Sequence, residues 1–452
     1  MKEPILIGNG QGFWGDSIDA PVQLLNGGPI HYITLDYLAE VTMSIMQRQK
    51  QKNPQRGFAT DFVQLMKDTL PTLVEMNIKV IASAGGVNPQ ACREAVFTVA
   101  RELGLTGLKI GIVEGDDILD RLPELIASGV EFNHLETGEA VTSMKDKVLS
   151  ANVYISSFPI AEALARGAQV IITGRATDPG LVLAPMIYEF GWQEDDWDKL
   201  AAGTVAGHIV ECGAQATGGN FTRWWEVPDY ARIGYPIVEA HSDGTFVVTK
   251  HQGTGGMVNR ATVTEQIVYE LGDPKNYISP DVKVDFTTLD LEEIGQDRVR
   301  VSGVKGSPGT ETYKVSLSYN NGYKASGTLT ISGPQAHEKA QKCAEIVWQR
   351  LKAAGYTYEE TNTEYLGLSS CHGEINPLPE QINEVVLRLS ARDADPDKLV
   401  RFGKEIAPLV TNGPPGVTGF AGGRPKPQGI VAYWPALIDK KLVKTKVTVE
   451  EV

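Results

Sequence analysis

The chain has 452 residues, 42% of them hydrophobic and 22% charged, the balance of a globular protein long enough for two or three domains. Lysine and arginine number 42 against 56 acids, giving a net charge of −14, and no basic stripe interrupts that excess, so nucleic acid is not an expected partner. No apolar run approaches the roughly 18 residues of a membrane helix.

No export signal is read at Met1–Pro4, so a cytoplasmic setting is expected. The four cysteines, Cys92, Cys212, Cys343 and Cys371, form neither a CxxC pair nor a zinc pattern and are expected as reduced thiols.

Pro4–Gly8 (PILIG) reads as a strand that enters a glycine loop. The basic run Arg48–Arg56 reads as a solvated loop. Lys79–Ala84 is a second strand. Asn88 is placed to cap, and Pro89 to open, a helix to about Leu103. Lys109–Val113 is a third strand, and Asp116–Ala127 an amphipathic helix with Ile118, Leu122, Leu125 and Ile126 on one face. A helix at Ile160–Arg166 precedes the buried strand Gln169–Thr173. Asp178-Pro179 then starts a helix to about Phe190. Strands without strict polar alternation, separated by helices, predict a parallel sheet covered on both faces. This α/β domain is placed at 1–228.

Near Pro228 the pattern changes. Pro236–Lys250 predicts a hairpin turning at Ser242-Asp243-Gly244. Thr262–Glu265 reads as a capping box before a helix to Leu271. Strands follow at Lys283–Phe286, Arg298–Ser302, Tyr313–Tyr319 and Tyr323–Ser332, the last two joined by a turn at Asn320-Asn321-Gly322. Gln335–Ala354 is a long helix. Beyond it lie a strand from Thr363, a strand at Glu384–Ala391, a helix from Pro396 to Leu409, and a glycine/proline loop at Gly413–Gly423. These predict an α+β domain at 229–356 and a C-terminal α+β region at 357–452, both with antiparallel strands.

Several glycine loops carry polar residues at the carboxyl ends of the predicted strands, where open parallel sheets bind ligands. Gly8–Asp16 (GNGQGFWGD) lacks the GxGxxG spacing, and no clean helix is read after Asp16. It is either a nucleotide loop or a tight turn with Phe13 and Trp14 in the core. Asp61 opens a helix after Gly57. Gly85, Gly86 and Asn88 form a candidate anion site at a helix start. Arg175 offers a planar fork for a carboxylate, while Asp178 suits a helix cap as well as a ligand. His208–Asn220 is the densest stretch. His208 and Glu211 are either paired proton-transfer groups or a buried pair that orders the loop, and Gln215 and Thr217 add donors. Cys212 has no base or cation in sequence reach. Thr254 and Gly255, in His251–Gly256, form a further loop before a helix. No metal site is expected.

Taken together, GNGQGFWGD, ATDF at Ala59–Phe62, AGGVNP at Ala84–Pro89, TGRATDPG at Thr173–Gly180, ECGAQATGGN at Glu211–Asn220, GTGGMVNRATVTEQIVYELGDP at Gly253–Pro274 and GPPGVTGFAGGRPKP at Gly413–Pro427 resemble the acyclic terpene utilisation AtuA-like family. The resemblance covers nearly the whole chain. It implies bacterial catabolism of branched acyclic terpenoid acids handled as CoA thioesters, with lyase or hydratase chemistry suggested for such acids. It brings no assigned catalytic residues, so the site rests on the loops. The expected acid/base groups are Glu211, His208 and Asp16. The expected substrate-binding set is Arg175, Asn88, Gly85, Gly86, Gln215, Thr217, Asp61, Asp178, Thr254 and Gly255. No cofactor is indicated beyond a CoA thioester substrate. The expected partner is a small carboxylate or acyl-CoA, with neither membrane nor nucleic acid. A homo-oligomer is compatible with this reading, and the alternative is a non-catalytic ligand-binding or partner subunit of a catabolic complex.

Overall fold

The computed structural model describes residues 3–452 except 369, 376, 420 and 421. Phe420 and Ala421 of the expected glycine/proline loop therefore lie outside the described residues. The chain forms two compact units, Met1–Ser318 with Tyr433–Val452, and Tyr319–Ala432.

The first unit is α/β and is built on a ten-stranded sheet. Its centre is five parallel strands in the order Ile5–Gln11, Tyr32–Leu35, Lys79–Ala82, Val170–Thr173, Lys109–Glu114. Ile33, Leu35, Val80, Ala82, Ile110 and Ile172 point into one core beneath the helices Ala20–Gly27, Glu40–Lys52, Thr60–Glu75 and Pro89–Glu102. The other face carries Phe158–Ala165, Gly180–Phe190 and Trp197–Val210. Burial on both faces explains why these strands show no alternation.

The pattern change near Pro228 does not interrupt this sheet. Pro236–Ala240 and Phe246–Lys250 form the expected hairpin, in register Pro236↔Lys250 to Ala240↔Phe246, and add antiparallel to Ile5–Gln11. Arg298–Ser302 and Asp290–Gly295 extend that edge, and Lys446–Glu451 closes the other against Lys109–Glu114.

The second unit pairs Glu360–Leu366, Glu384–Asp393 and the end of Thr312–Ser332 antiparallel. Ala336–Ala353 and Pro396–Gly403 cover one face, with Ala340, Val347, Leu387, Leu389, Leu399 and Phe402 in the core.

Several local expectations change. Arg48–Lys52 closes a helix rather than lying in a loop. A helix, Ala20–Gly27, does follow the first glycine loop. Asp116–Ala127 becomes a 3-10 turn, Leu119–Arg121, and a short helix, Leu122–Ala127. Thr312–Ser332 is one continuous strand. Asn320 Oδ1 accepts from Gly322 N–H without reversing the chain, because Tyr323 onward must continue in register with Asp393 to meet the second unit's sheet. Asn259, not Thr262, is the cap of Arg260–Val268, with Thr262 as the reciprocal partner.

Candidate functional site

Successive parallel strands deliver polar side chains to one end of the sheet. Tyr32–Leu35 ends on Asp36, Lys79–Ala82 on Ser83, and Val170–Thr173 on Gly174-Arg175. These three strands are neighbours, so their first loop residues meet. Ser83 Oγ donates to Asp36 Oδ1 at 2.6 Å, and Leu38 N–H donates to the same oxygen at 3.0 Å.

Arg175 is 2% exposed. One guanidinium nitrogen donates to the Leu38 carbonyl at 2.8 Å and to Asp178 Oδ1 at 2.5 Å, and the ring of Tyr154 lies 4.3 Å beneath it. Its Nε has no hydrogen-bond partner among the described residues. Asp178 is thus no plain helix cap: Pro179 occupies that position, and Asp178 pairs with Arg175 while its side chain stays 35% exposed. The expected carboxylate fork is already filled from within the chain. Tyr154 OH donates to Glu40, and Lys314 Nζ lies 4.7 Å from the centroid of the Tyr154 ring.

The loop itself is held from below. Asp116, buried, accepts from Arg175 N–H at 2.7 Å and from Asn152 Nδ2 at 3.0 Å. Burial raises its carboxyl to about 7. A side chain at Gly174 would overlap that carboxylate, which explains the glycine.

The expected loop at His208–Asn220 is largely helical. His208 lies in the last turn of Trp197–Val210, Glu211 caps it, and Gly213–Thr217 is a 3-10 turn. His208 Nε2 lies 3.2 Å from the Ile267 carbonyl, which can only accept, so Nε2 carries the hydrogen there. Nδ1 then faces Glu211 Oε1 at 3.5 Å, and Glu211 Oε2 is buried without a partner. Burial raises Glu211, with Asp178 adding to the shift and His208 opposing it. Burial alone would lower His208, but Glu211 outweighs it and the net shift is upward. Burial is thus the main cause of the upward shift of Glu211, and the facing carboxyl is the cause of the upward shift of His208.

This segment meets the first glycine loop. Asn9 Nδ2 donates to the Glu211 carbonyl at 3.4 Å. A side chain on Gly12 would come 2.8 Å from the Cys212 backbone, so only glycine allows this approach. Asp16 accepts from Gly12 N–H at 2.9 Å, Ser17 N–H at 2.7 Å and Tyr235 OH at 2.5 Å. These bonds tie its carboxylate into the loop. Phe13 is exposed rather than in the core.

The other expected residues are placed as follows. Gly85 N–H donates to the Thr173 carbonyl, joining its loop to the Arg175 loop. Gly86, at φ +54°, packs on Met46. Asn88 makes no cap bond and donates to the Pro54 and Arg56 carbonyls. Asp61 is exposed and accepts from Trp14. Thr217 donates to Gly234 O at 2.6 Å, and Gln215 borders a small pocket with Gln266 and Tyr269. Thr254 lines a separate pocket of ≈ 950 Å³ with Lys250, His251 and Asp297, and Gly255 N–H is taken by the Arg232 carbonyl.

The sequence reading passed over Asp36, Ser83, Glu40, Tyr154 and Asp116. The available signal for Asp36 was YITLD, a short β-rich run ending on an acid between Pro29 and the next helix. Among the described residues no cluster of three metal-binding side chains occurs, and all four cysteines are free thiols. No helix among them is long and apolar enough to cross a membrane.

Fold and site together define an α/β protein with a carboxylate-rich, loop-built site at the ends of parallel strands. The chain belongs to the acyclic terpene utilisation AtuA family: the model of the "Acyclic terpene utilisation family protein AtuA" matches residues 5–449. Neither a curated protein nor a solved structure matches the chain.

Proposed function

We propose that the protein is a lyase of the hydratase type acting on a branched, α,β-unsaturated acyl group carried as a CoA thioester. The observation that carries this reading is the buried Glu211–His208 pair, Oε1 facing Nδ1 at 3.5 Å, which leaves Glu211 Oε2 unpartnered among the described residues. A hydratase needs a group that takes a proton from water and can store it. Glu211 is that group, with His208 as the store. Family membership supports the branched acyclic substrate.

The thioester is preferred here to the free acid because its carbonyl is neutral and brings no further carboxylate into a partly desolvated site that already holds Asp178 and Glu40. Arg175 Nε–H, buried and without a hydrogen-bond partner among the described residues, is the donor this reading assigns to that carbonyl oxygen. Asp16, with three internal bonds, acts as the loop's anchor in this scheme.

The test incubates the protein with branched 2-enoyl-CoA thioesters and with the corresponding free acids in ¹⁸O-water. Hydration of the thioester with ¹⁸O at the new hydroxyl, and slower reaction of the free acid, is the expected result. Absence of ¹⁸O incorporation from either substrate overturns it and favours a binding or partner role.

A further inference from the structure

We propose that Asp36 is a second proton-transfer group of this site, supplying the proton that ends on the substrate's α-carbon while Glu211 handles the water. This inference rests on the hydratase reading and adds a residue and a division of labour to it.

The placement argues for it. Asp36 stands at the carboxyl end of the strand Tyr32–Leu35, between the Gly8–Asp16 loop on one neighbouring strand and Ser83 on the other. It is buried, yet both of its fixed hydrogen bonds, from Ser83 Oγ and Leu38 N–H, fall on Oδ1. Oδ2 makes no hydrogen bond among the described residues. A carboxyl held rigidly through one oxygen, with the other left over, is the arrangement of a group that exchanges a proton through the second oxygen. Ser83 is itself fixed, because Oγ accepts from Tyr37 N–H at 2.9 Å.

The charged groups facing Asp36 are Asp178 and Arg175, both on the loop after Val170–Thr173. Burial and then Asp178 push the Asp36 carboxyl upward, and Arg175 and Ser83 only partly offset them. Asp36 therefore keeps its proton further toward neutrality than an exposed aspartate. Asp178 bears on Glu211 as well as on Asp36, so the two acids share one neighbour.

The step balances. Water loses a proton to Glu211 as its oxygen bonds to the β-carbon. The alkene electron pair moves toward the carbonyl and then takes the Asp36 proton, forming the α-carbon–hydrogen bond. Asp36 is left ionised and Glu211 protonated, and exchange with solvent resets both.

The experiment measures exchange of α-carbon hydrogen for solvent deuterium in a saturated branched acyl-CoA, where no water is added and only the α-carbon group is needed. Asp36→Asn is expected to lower this exchange by about 10²-fold, the scale for losing a general acid or base. Ser83→Ala is expected to lower it by about tenfold. Glu211→Gln is expected to abolish hydration and to lower exchange less than Asp36→Asn does. Equal loss of both activities in Asp36→Asn and Glu211→Gln, or full exchange in Asp36→Asn, overturns the assignment. If the wild type neither hydrates nor exchanges, the hydratase reading fails on its own, and the proton on Asp36 is read from infrared spectra at neutral pH. A protonated-carboxyl band present in the wild type and missing from Asp36→Asn supports a proton-holding Asp36. No difference between the two spectra rejects it.

Discussion

Replacing Gly207 by alanine tests the packing that supports the site. Gly207 lies in the helix Trp197–Val210, one turn before Glu211, where the helix crosses the loop carrying Arg175 and Asp178. An alanine methyl there would overlap the Pro179 carbonyl oxygen and lie 2.5 Å from Pro179 Cα and 2.8 Å from its carbonyl carbon. Carbon atoms pack at about 3.5–4.0 Å, so helix and loop must part by roughly 1 Å. In an open helix the change would gain about 1 kcal/mol from backbone entropy. Overpacking costs about 1–3 kcal/mol, toward the upper end when the obstacle is backbone that cannot rotate. A net loss of about 1–2 kcal/mol is expected. Gly203→Ala is the control. It shares the helix and the entropic gain, but its methyl meets the end of the Leu183 side chain, which can turn aside. Urea unfolding of both variants beside the wild type measures the difference directly. Gly207→Ala matching or exceeding Gly203→Ala in stability would refute the close approach, and with it the argument that this helix sets the position of Asp178.

Glu211→Gln should stay folded, because the amide can still meet His208, yet lose at least about 10²-fold in hydration turnover; normal turnover on the true substrate would make Glu211 structural. Arg175→Lys should lower stability as well as substrate binding, since a single ammonium cannot serve the Leu38 carbonyl, both Asp178 oxygens and the Tyr154 face together; an unchanged melting temperature would contradict this. Asp116 holds its proton more tightly folded, to about 7, than an unfolded aspartate near 3.9, so its contribution is complete below about pH 4 and is lost as pH rises through about 7. Stability should therefore fall across that window, and Asp116→Asn should flatten the fall; a steeper fall in the variant would reverse the sign. A thiol reagent at pH 8 should modify exposed Cys371 quickly, partly buried Cys212 slowly, and Cys92 and Cys343 only after denaturation, because burial excludes the reagent and raises the Cys92 and Cys343 thiols; rapid labelling of Cys92 would contradict the packing.

Much of the sheet was legible in the sequence. The strands at Ile5, Lys79, Lys109 and Val170 announce themselves as apolar runs closed by glycine or polar turns, and the hairpin after Pro236 by its Asp-Gly turn. The helix Trp197–Val210 was not. Every residue from Leu200 to Val210 is buried, so no polar face marks a helical period; the stretch before His208 is left unassigned and His208 onward is read as a loop. That is why His208 and Glu211 were picked out by chemistry but set in the wrong local structure. Tyr32–Leu35 is only four residues long, below the length at which alternation is readable, and Asp36 was lost with it. The Asn-Asn-Gly at 320–322 is a turn sequence overridden by ten register pairs that carry the strand onward from Tyr323. The family resemblance was legible because it is carried by whole loop motifs rather than by periodicity.

The two ends of the same strands differ in a way that separates support from chemistry. At the amino ends, Tyr32 donates to Glu189, Lys79 Nζ reaches Tyr32 OH at 3.3 Å and Glu189 at 3.8 Å, and the same ammonium lies 4.9 Å from the Tyr188 ring centroid. Each polar group there has a partner within the chain, so that end is a clasp. Near the carboxyl ends, Arg175 Nε and Glu211 Oε2 are buried without a hydrogen bond among the described residues. An unsatisfied buried polar atom costs about 1–3 kcal/mol. Such atoms are relieved by repacking or by a partner. The neighbouring residues hold them in place instead: Asp116 from beneath, Tyr154 across the guanidinium, and glycines at 12 and 174 where any side chain would collide. On the proposed hydratase reading, these are the atoms that a substrate carbonyl and the attacking water would meet.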